Sequence, residues 1–155
     1  MVLAHSIENS KGWKSQYETM TRWYHRCEKI HVDGCYVDFH DAWDFGFSFF
    51  IACHSLKDWL KKQCPTYVAP EYPICMKICR DIANRAKHLR LDQASLDADW
   101  SMVREYDHYK DGVKLKLVFE GHKKDYKFPP SFPLISVIRD CQKFWEIELR
   151  RQNLL

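Results

Sequence analysis

Apolar side chains recur along most of the chain at the three- and four-residue spacing of an amphipathic helix. Segments with this pattern cover about 14–30, 36–63, 73–89 and 134–151. Residues 113–120 instead alternate apolar and polar side chains, and 125–128 can return beside them after a turn at Gly121. Residues 91–110 are weakly patterned, which is typical of a loop or a short helix. The pattern predicts a mainly α fold, a bundle of four to five helices with a small β-hairpin near 113–128.

The second helical segment is the most apolar part of the chain. On a helical wheel it carries two apolar faces. One face holds Phe45, Phe49, Ala52, Leu56 and Leu60, and the other holds Trp43, Phe47, Phe50 and Ile51. A helix with two apolar faces is normally covered on both sides. The segment therefore predicts the central helix of the domain, or a helix with one side against another subunit.

Length and charge restrict the class of protein. A chain of 155 residues has the usual size of one domain, so a single helical domain over 1–155 is expected. The 24 basic and 21 acidic residues give a net charge of +3, which permits an anionic partner without requiring one. The longest apolar stretch, 45–53, is too short to span a bilayer. No secretion signal is evident, so a cytoplasmic protein without membrane contact is expected.

Seven cysteines are present, an odd number with irregular spacing. Cys75 and Cys79 stand four residues apart, which is not the C-x-x-C spacing of a zinc knuckle or a redox site. Most of the seven lie among apolar residues. The pattern favours buried free thiols in a reducing compartment, with no metal and no cofactor.

The third helical segment carries the strongest chemical pattern. Arg80, Asn84 and His88 follow one another at intervals of four residues and so form one ridge, flanked by Lys77 and Lys87. An arginine can grip phosphate oxygens, a histidine can exchange a proton near neutral pH, and an asparagine can orient either group. These are the parts of a metal-free ribonuclease. The alternative is the solvated side of an ordinary amphipathic helix.

A second pattern places His54 and Asp58 one turn apart on the second helical segment. The aspartate could hold and tune the imidazole, either in a catalytic pair or in a small-molecule pocket between helices. The alternative is a polar pair that only fixes helix packing.

Asn84-x-x-x-His88, within the run from Ile82 to His88, resembles the motif of HEPN domains. The segment from His54 to Trp59 is similar to the second helix of a bacterial HEPN-like group. The resemblance covers about 36–91. It implies a small helical bundle that acts as a homodimer, and a metal-independent ribonuclease or an RNA- or nucleotide-binding component of a toxin–antitoxin or antiphage defence system.

The resemblance assigns roles to individual residues. His88 would be the general acid and base, and Asn84 would orient the reacting group. The family places an arginine directly before its polar residue, but Ala83 stands there in this chain, so Arg80 and Arg85 would hold the phosphate instead. That departure leaves a second hypothesis open, a non-catalytic module of the same fold that binds a protein partner.

Overall fold

The computed structural model describes residues 12–87, 101–106, 108–118 and 131–155. Its helices are α1 (Trp13–Ile30), α2 (Phe39–Gln63), α3 (Ile74–Lys87) and α4 (Leu134–Arg151). Its strands are β1 (His31–Val32), β2 (Cys35–Tyr36), β3 (Ser101–Tyr106), β4 (Val113–Val118) and β5 (Ser131–Pro133). The mainly α prediction is confirmed, with a small antiparallel sheet beside the helices. Within these residues, no helix combines the length and apolar character that crossing a membrane requires.

The helix ends follow from local chemistry. Asp38 caps α2, because its side chain accepts a hydrogen bond of 2.9 Å from the backbone N–H of Asp41. The predicted start at Tyr36 is therefore three residues early, and Tyr36 belongs to β2. Helix α2 ends before Pro65, as predicted, since a proline cannot continue the hydrogen-bond ladder.

Helix α2 is the central helix, and it contacts α1, α3 and α4. Its first apolar face is buried as predicted, with Phe49, Leu56 and Leu60 completely inaccessible. The second face is covered only in part. Trp43 keeps 39% of its surface exposed, and its neighbour Phe47 is half-buried. This partly open face lines a groove described below.

Helix α4 has the predicted bounds, and one of its sides is buried, with Ile138, Cys141 and Trp145 completely inaccessible. It approaches α2 closely at Gly46, where an added Cβ would lie 3.6 Å from Leu134. A bidentate ion pair links α4 to α1, with Arg139 Nε 2.5 Å and Nη2 2.9 Å from the two carboxylate oxygens of Glu28. The hydrogen bonds from Arg139 lower the pKa of Glu28, so this link is complete at neutral pH.

The sheet differs from the predicted hairpin. The predicted alternation along β4 is confirmed, because Val113, Leu115 and Leu117 are buried. The predicted return strand at 125–128 lies outside the described residues. Within them β4 pairs with β3 over its whole length, and its other side pairs with β2 at one end and β5 at the other.

The prediction of a loop or short helix is wrong for 101–106. Strand β3 has no buried residue, and four of its six side chains are exposed. Its sequence therefore lacks the apolar alternation of a half-buried strand, and the strand depends on backbone pairing with β4.

A complete hairpin with a two-residue turn follows α1. Asp33 and Gly34 both have positive φ, 50° and 83°, which suits the tight turn between two antiparallel strands. Strands β1 and β2 have only two residues each, so a sequence pattern cannot reveal them.

Candidate functional site

A cationic pocket lies between α2, the connection at 64–73 and α3. We use this name for the cavity of about 350 Å³ that is lined by Lys57, Pro70, Tyr72, Lys77 and Arg80. Three of the five lining side chains carry a positive charge, and none is acidic. The cavity is open to solvent on one side, so an ion or a larger anionic molecule can reach it.

The fold brings these residues together from two helices. Lys57 lies in the last two turns of α2, and Lys77 and Arg80 lie one turn apart near the start of α3. Since the connection at 64–73 joins the end of α2 to the start of α3, the three charges are close to it. Pro70 and Tyr72 belong to this connection and complete the lining of the pocket.

The electrostatics of the pocket favour an anion. Burial, the nearby charge of Lys61 and that of Arg80 lower the pKa of Lys57, and Asp58 only partly offsets them. Neither Lys77 nor Arg80 makes an ion pair with any other part of the chain that the structure describes. Like charges held together raise the free energy of the pocket, and a bound anion would lower it.

Tyr72 connects the pocket to the core. Lys57 Nζ lies 5.0 Å from the centre of the Tyr72 ring, a cation–π contact. The other side of the ring packs edge-on against Phe144 of α4, with the ring centres 5.8 Å apart. Burial of the hydroxyl raises the pKa of Tyr72, so the phenol stays neutral. The contacts with Lys57 and Phe144 hold the ring in place.

The structure places part of the predicted ridge in this pocket. Arg80 is exposed at its rim, and Lys77 lies half-buried in its wall. Asn84 is half-buried one turn further along α3 and does not line the pocket. Lys87 is the last described residue of α3, and the predicted general acid and base, His88, lies outside the described residues.

Arg85 is separated from Arg80. It lines an aromatic groove, the name we use for the cavity of about 670 Å³ lined by Trp43, Asp44, Phe47, Ser48, Ile51, Arg85 and Ala86. The rings of Trp43 and Phe47 lie 4.4 Å apart there. The expectation that Arg80 and Arg85 hold one phosphate together is not supported, because five residues turn a helix by roughly 140°.

Helix α3 buries Ile78, Cys79 and Ile82, whereas Ala86 is exposed. Ala83, the residue at the arginine position of the HEPN motif, is completely buried. Because α3 packs on both α2 and α4, its apolar arc extends round to Ala83. The position is therefore closed to the surface, and no cation is presented from it.

The His54 and Asp58 pair does not form part of the cavities described above. His54 is half-buried on α2, and Asp58 is exposed. Because Asp58 is exposed, water solvates its carboxylate.

A second cluster lies in the core and consists of sulfur atoms. Six of the seven cysteines are buried. The Sγ atoms of Cys53, Cys79 and Cys141 all lie within 4.8 Å of one another, at the junction of α2, α3 and α4. Burial alone would raise the pKa of the Cys53 thiol, but hydrogen bonds from the thiols of Cys141 and Cys79 lower it.

Lys57 and Tyr72 were not predicted from the sequence, although both belong to the pocket. Lys57 lies inside the segment that drew attention for His54 and Asp58. A usable signal was that Lys57 lies within two helical turns of the proline-rich connection at 64–73. Cations within two turns of both ends of a short helix–helix connection are expected to approach each other.

No protein-family model, no curated protein and no solved structure matches the chain. The HEPN-like resemblance therefore stays a prediction from the residues quoted above.

Proposed function

We propose that the cationic pocket binds a phosphate group of RNA or of a nucleotide, and that the protein is an RNA- or nucleotide-binding component of HEPN-like type. The observation that carries the proposal is the convergence of Lys57, Lys77 and Arg80 on one open cavity whose lining has no acidic side chain. A phosphate would offset the repulsion among these charges.

The three cations suit a phosphate in different ways. The planar guanidinium of Arg80 can donate two parallel hydrogen bonds to two phosphate oxygens. The ammonium groups of Lys57 and Lys77 act as point charges from the other sides. The ring of Tyr72 gives the pocket an apolar wall, against which a sugar or a base can pack.

Cleavage of the bound RNA is a further part of the proposal, and it depends on His88. The histidine would take a proton from the 2′-hydroxyl and return one to the leaving oxygen, while Arg80 stabilises the charged phosphate. Asn84 would orient the imidazole. One helix supplies few groups, so a homodimer with two copies of α3 across a two-fold axis is proposed for the active form.

A non-catalytic role is the second candidate, and burial of Ala83 favours it. The aromatic groove would then bind a protein partner, since Trp43 is 39% exposed and Phe47 is half-buried beside it. Aromatic and arginine side chains are enriched where proteins meet, and Arg85 lines the same groove.

Binding of a short fluorescein-labelled single-stranded RNA, followed by fluorescence anisotropy, tests the proposal. Arg80→Gln is expected to raise the Kd at least about tenfold, because a charge-assisted hydrogen bond contributes roughly 1.5–3 kcal/mol. The matched control is Arg85→Gln, the same change on the same helix but in the aromatic groove, with an expected change below about threefold. Equal effects of the two changes, or no effect of either, would contradict the pocket as the binding site.

The same samples decide whether RNA is cut. Denaturing gels of RNA incubated with excess chelator are expected to show cleavage by the wild type and none by His88→Ala, with binding retained in the variant. Binding without cleavage in the wild type leaves the binding proposal in place and rejects the ribonuclease.

A further inference from the structure

We propose that Cys53, Cys79 and Cys141 form a binding site for one soft, thiophilic metal ion, Zn²⁺ or Cu⁺, inside the helical core. The site is independent of the cationic pocket and of the proposed RNA binding. Each of the three thiols comes from a different helix, α2, α3 and α4, and each is completely buried.

The distances suit a metal. Sulfur ligands lie about 2.3 Å from a zinc ion, which puts two sulfurs of one tetrahedral shell about 3.8 Å apart. The three Sγ atoms already lie within 4.8 Å of one another, so they need to approach by at most about 1 Å. Thiolate and thioether sulfurs are the ligands that Zn²⁺ and Cu⁺ prefer over harder ions.

More sulfur lies next to these three atoms. Cys75 lies one turn before Cys79 on α3, and its backbone oxygen lies 3.3 Å from the Cys141 Sγ. Met76 Sδ lies 4.0 Å from Cys53 Sγ. A Cu⁺ ion would be satisfied by the three thiolates, whereas a Zn²⁺ ion takes a fourth ligand, for which Cys75 is the available thiol.

The buried indole N–H of Trp145 would stabilise a negatively charged sulfur on Cys53. Trp145 is completely inaccessible, and its indole N–H makes no hydrogen bond of normal geometry although it lies beside Cys53. Buried N–H groups are rarely left without an acceptor. A metal-bound Cys53 thiolate would accept this hydrogen bond as an outer support of the site.

Protonated thiols are the competing state of the cluster. Cys79 Sγ lies 3.5 Å from the backbone oxygen of Phe50, and Cys141 Sγ lies 3.3 Å from that of Cys75. These weak bonds hold the thiols in the absence of a metal. On binding, each ligating thiol gives its proton to water and its sulfur lone pair to the ion, with no change in oxidation state.

Metal content and metal titration of the full chain test the inference. Protein made in zinc- or copper-supplemented medium and purified under reducing, oxygen-free conditions is expected to hold about one ion per chain. The stripped protein is then titrated with Zn²⁺ and, separately, with Cu⁺, each in competition with a chromophoric chelator. Co²⁺ is added in a parallel sample, and the intense visible absorption of tetrahedral cobalt–thiolate coordination is expected. Since the site is buried, the loaded protein is expected to melt at a higher temperature than the stripped protein.

Three variants test which of the buried thiols hold the ion. Cys141→Ala is expected to abolish binding of both ions, and Cys75→Ala to weaken Zn²⁺ more than Cu⁺. Cys27→Ala removes a thiol that is equally buried but lies on α1, outside the cluster, and is expected to leave binding unchanged. If Cys141→Ala does not fold, the wild-type titrations decide alone. The inference is overturned if the wild type with reduced thiols binds none of the three ions. It is also overturned if Cys27→Ala loses binding as much as Cys141→Ala does.

Discussion

Replacement of Gly112 by alanine is expected to destabilise the protein by about 2–4 kcal/mol. Gly112 has φ +111°, a conformation that residues with a side chain rarely adopt. A Cβ at this position would also overlap the backbone oxygen of Tyr36 and would lie 3.1 Å from Cys35 Cβ. Because backbone cannot move aside as a flexible side chain can, the loop must shift and the pairing of β2 with β4 is lost.

Gly34→Ala is the matched control for this prediction. Gly34 also has a positive φ, +83°, but the nearest atom to an added Cβ is Lys110 Nζ at 3.9 Å. This variant therefore carries the backbone strain without the overlap, and a loss of about 1 kcal/mol is expected. Urea unfolding followed by circular dichroism gives both free energies of unfolding. Equal losses in the two variants would show that the close contact with β2 is absent.

Reversal of two charges in the pocket is expected to have the largest effect on binding. The double variant Lys77→Glu, Arg80→Glu should weaken RNA binding at least about 100-fold, because two favourable contacts with phosphate become repulsive. Arg80 is exposed and Lys77 half-buried, so the fold is expected to remain intact. Anisotropy with the labelled RNA measures the loss, and circular dichroism confirms the helical content.

A control variant with the same net charge excludes a general electrostatic effect. Lys143 and Arg150 are exposed on α4 and do not line the cationic pocket. Lys143→Glu, Arg150→Glu should weaken binding by less than about fivefold, through the long-range field alone. A similar loss in both double variants would mean that RNA responds to the overall charge of the protein and not to the pocket.

The sequence predicted the helices well because each depends on a long periodic pattern. Helix α4 repeats its apolar side over five turns, and both of its ends agree with the prediction. Strand β3 was missed because its six residues do not alternate apolar and polar side chains and four of them are exposed, so pairing with β4 defines it. Tertiary pairing of this kind leaves no period in the sequence.

The residues of the candidate site also fall into those that the sequence could predict and those that it could not. Arg80 and Lys77 could be found, since their spacing on one helix follows from the helical repeat. Lys57 and Tyr72 could not, because their approach depends on how α2 and α3 pack across the connection at 64–73. The three clustered thiols are 26 and 62 residues apart in sequence for the same reason, and only the crossing of three helices brings them within 4.8 Å.

The dependence of RNA affinity on salt tests most directly whether the cationic pocket contacts phosphate. Each phosphate that a cation neutralises on a single strand adds about 0.7 to the slope of the logarithm of affinity against the logarithm of salt concentration. The variant Lys57→Gln, Lys77→Gln, Arg80→Gln removes the contact with the one phosphate in the pocket and should therefore lower the magnitude of the wild-type slope by about 0.7. An unchanged slope, with affinity equal to that of the wild type, would show that RNA phosphates do not occupy the pocket.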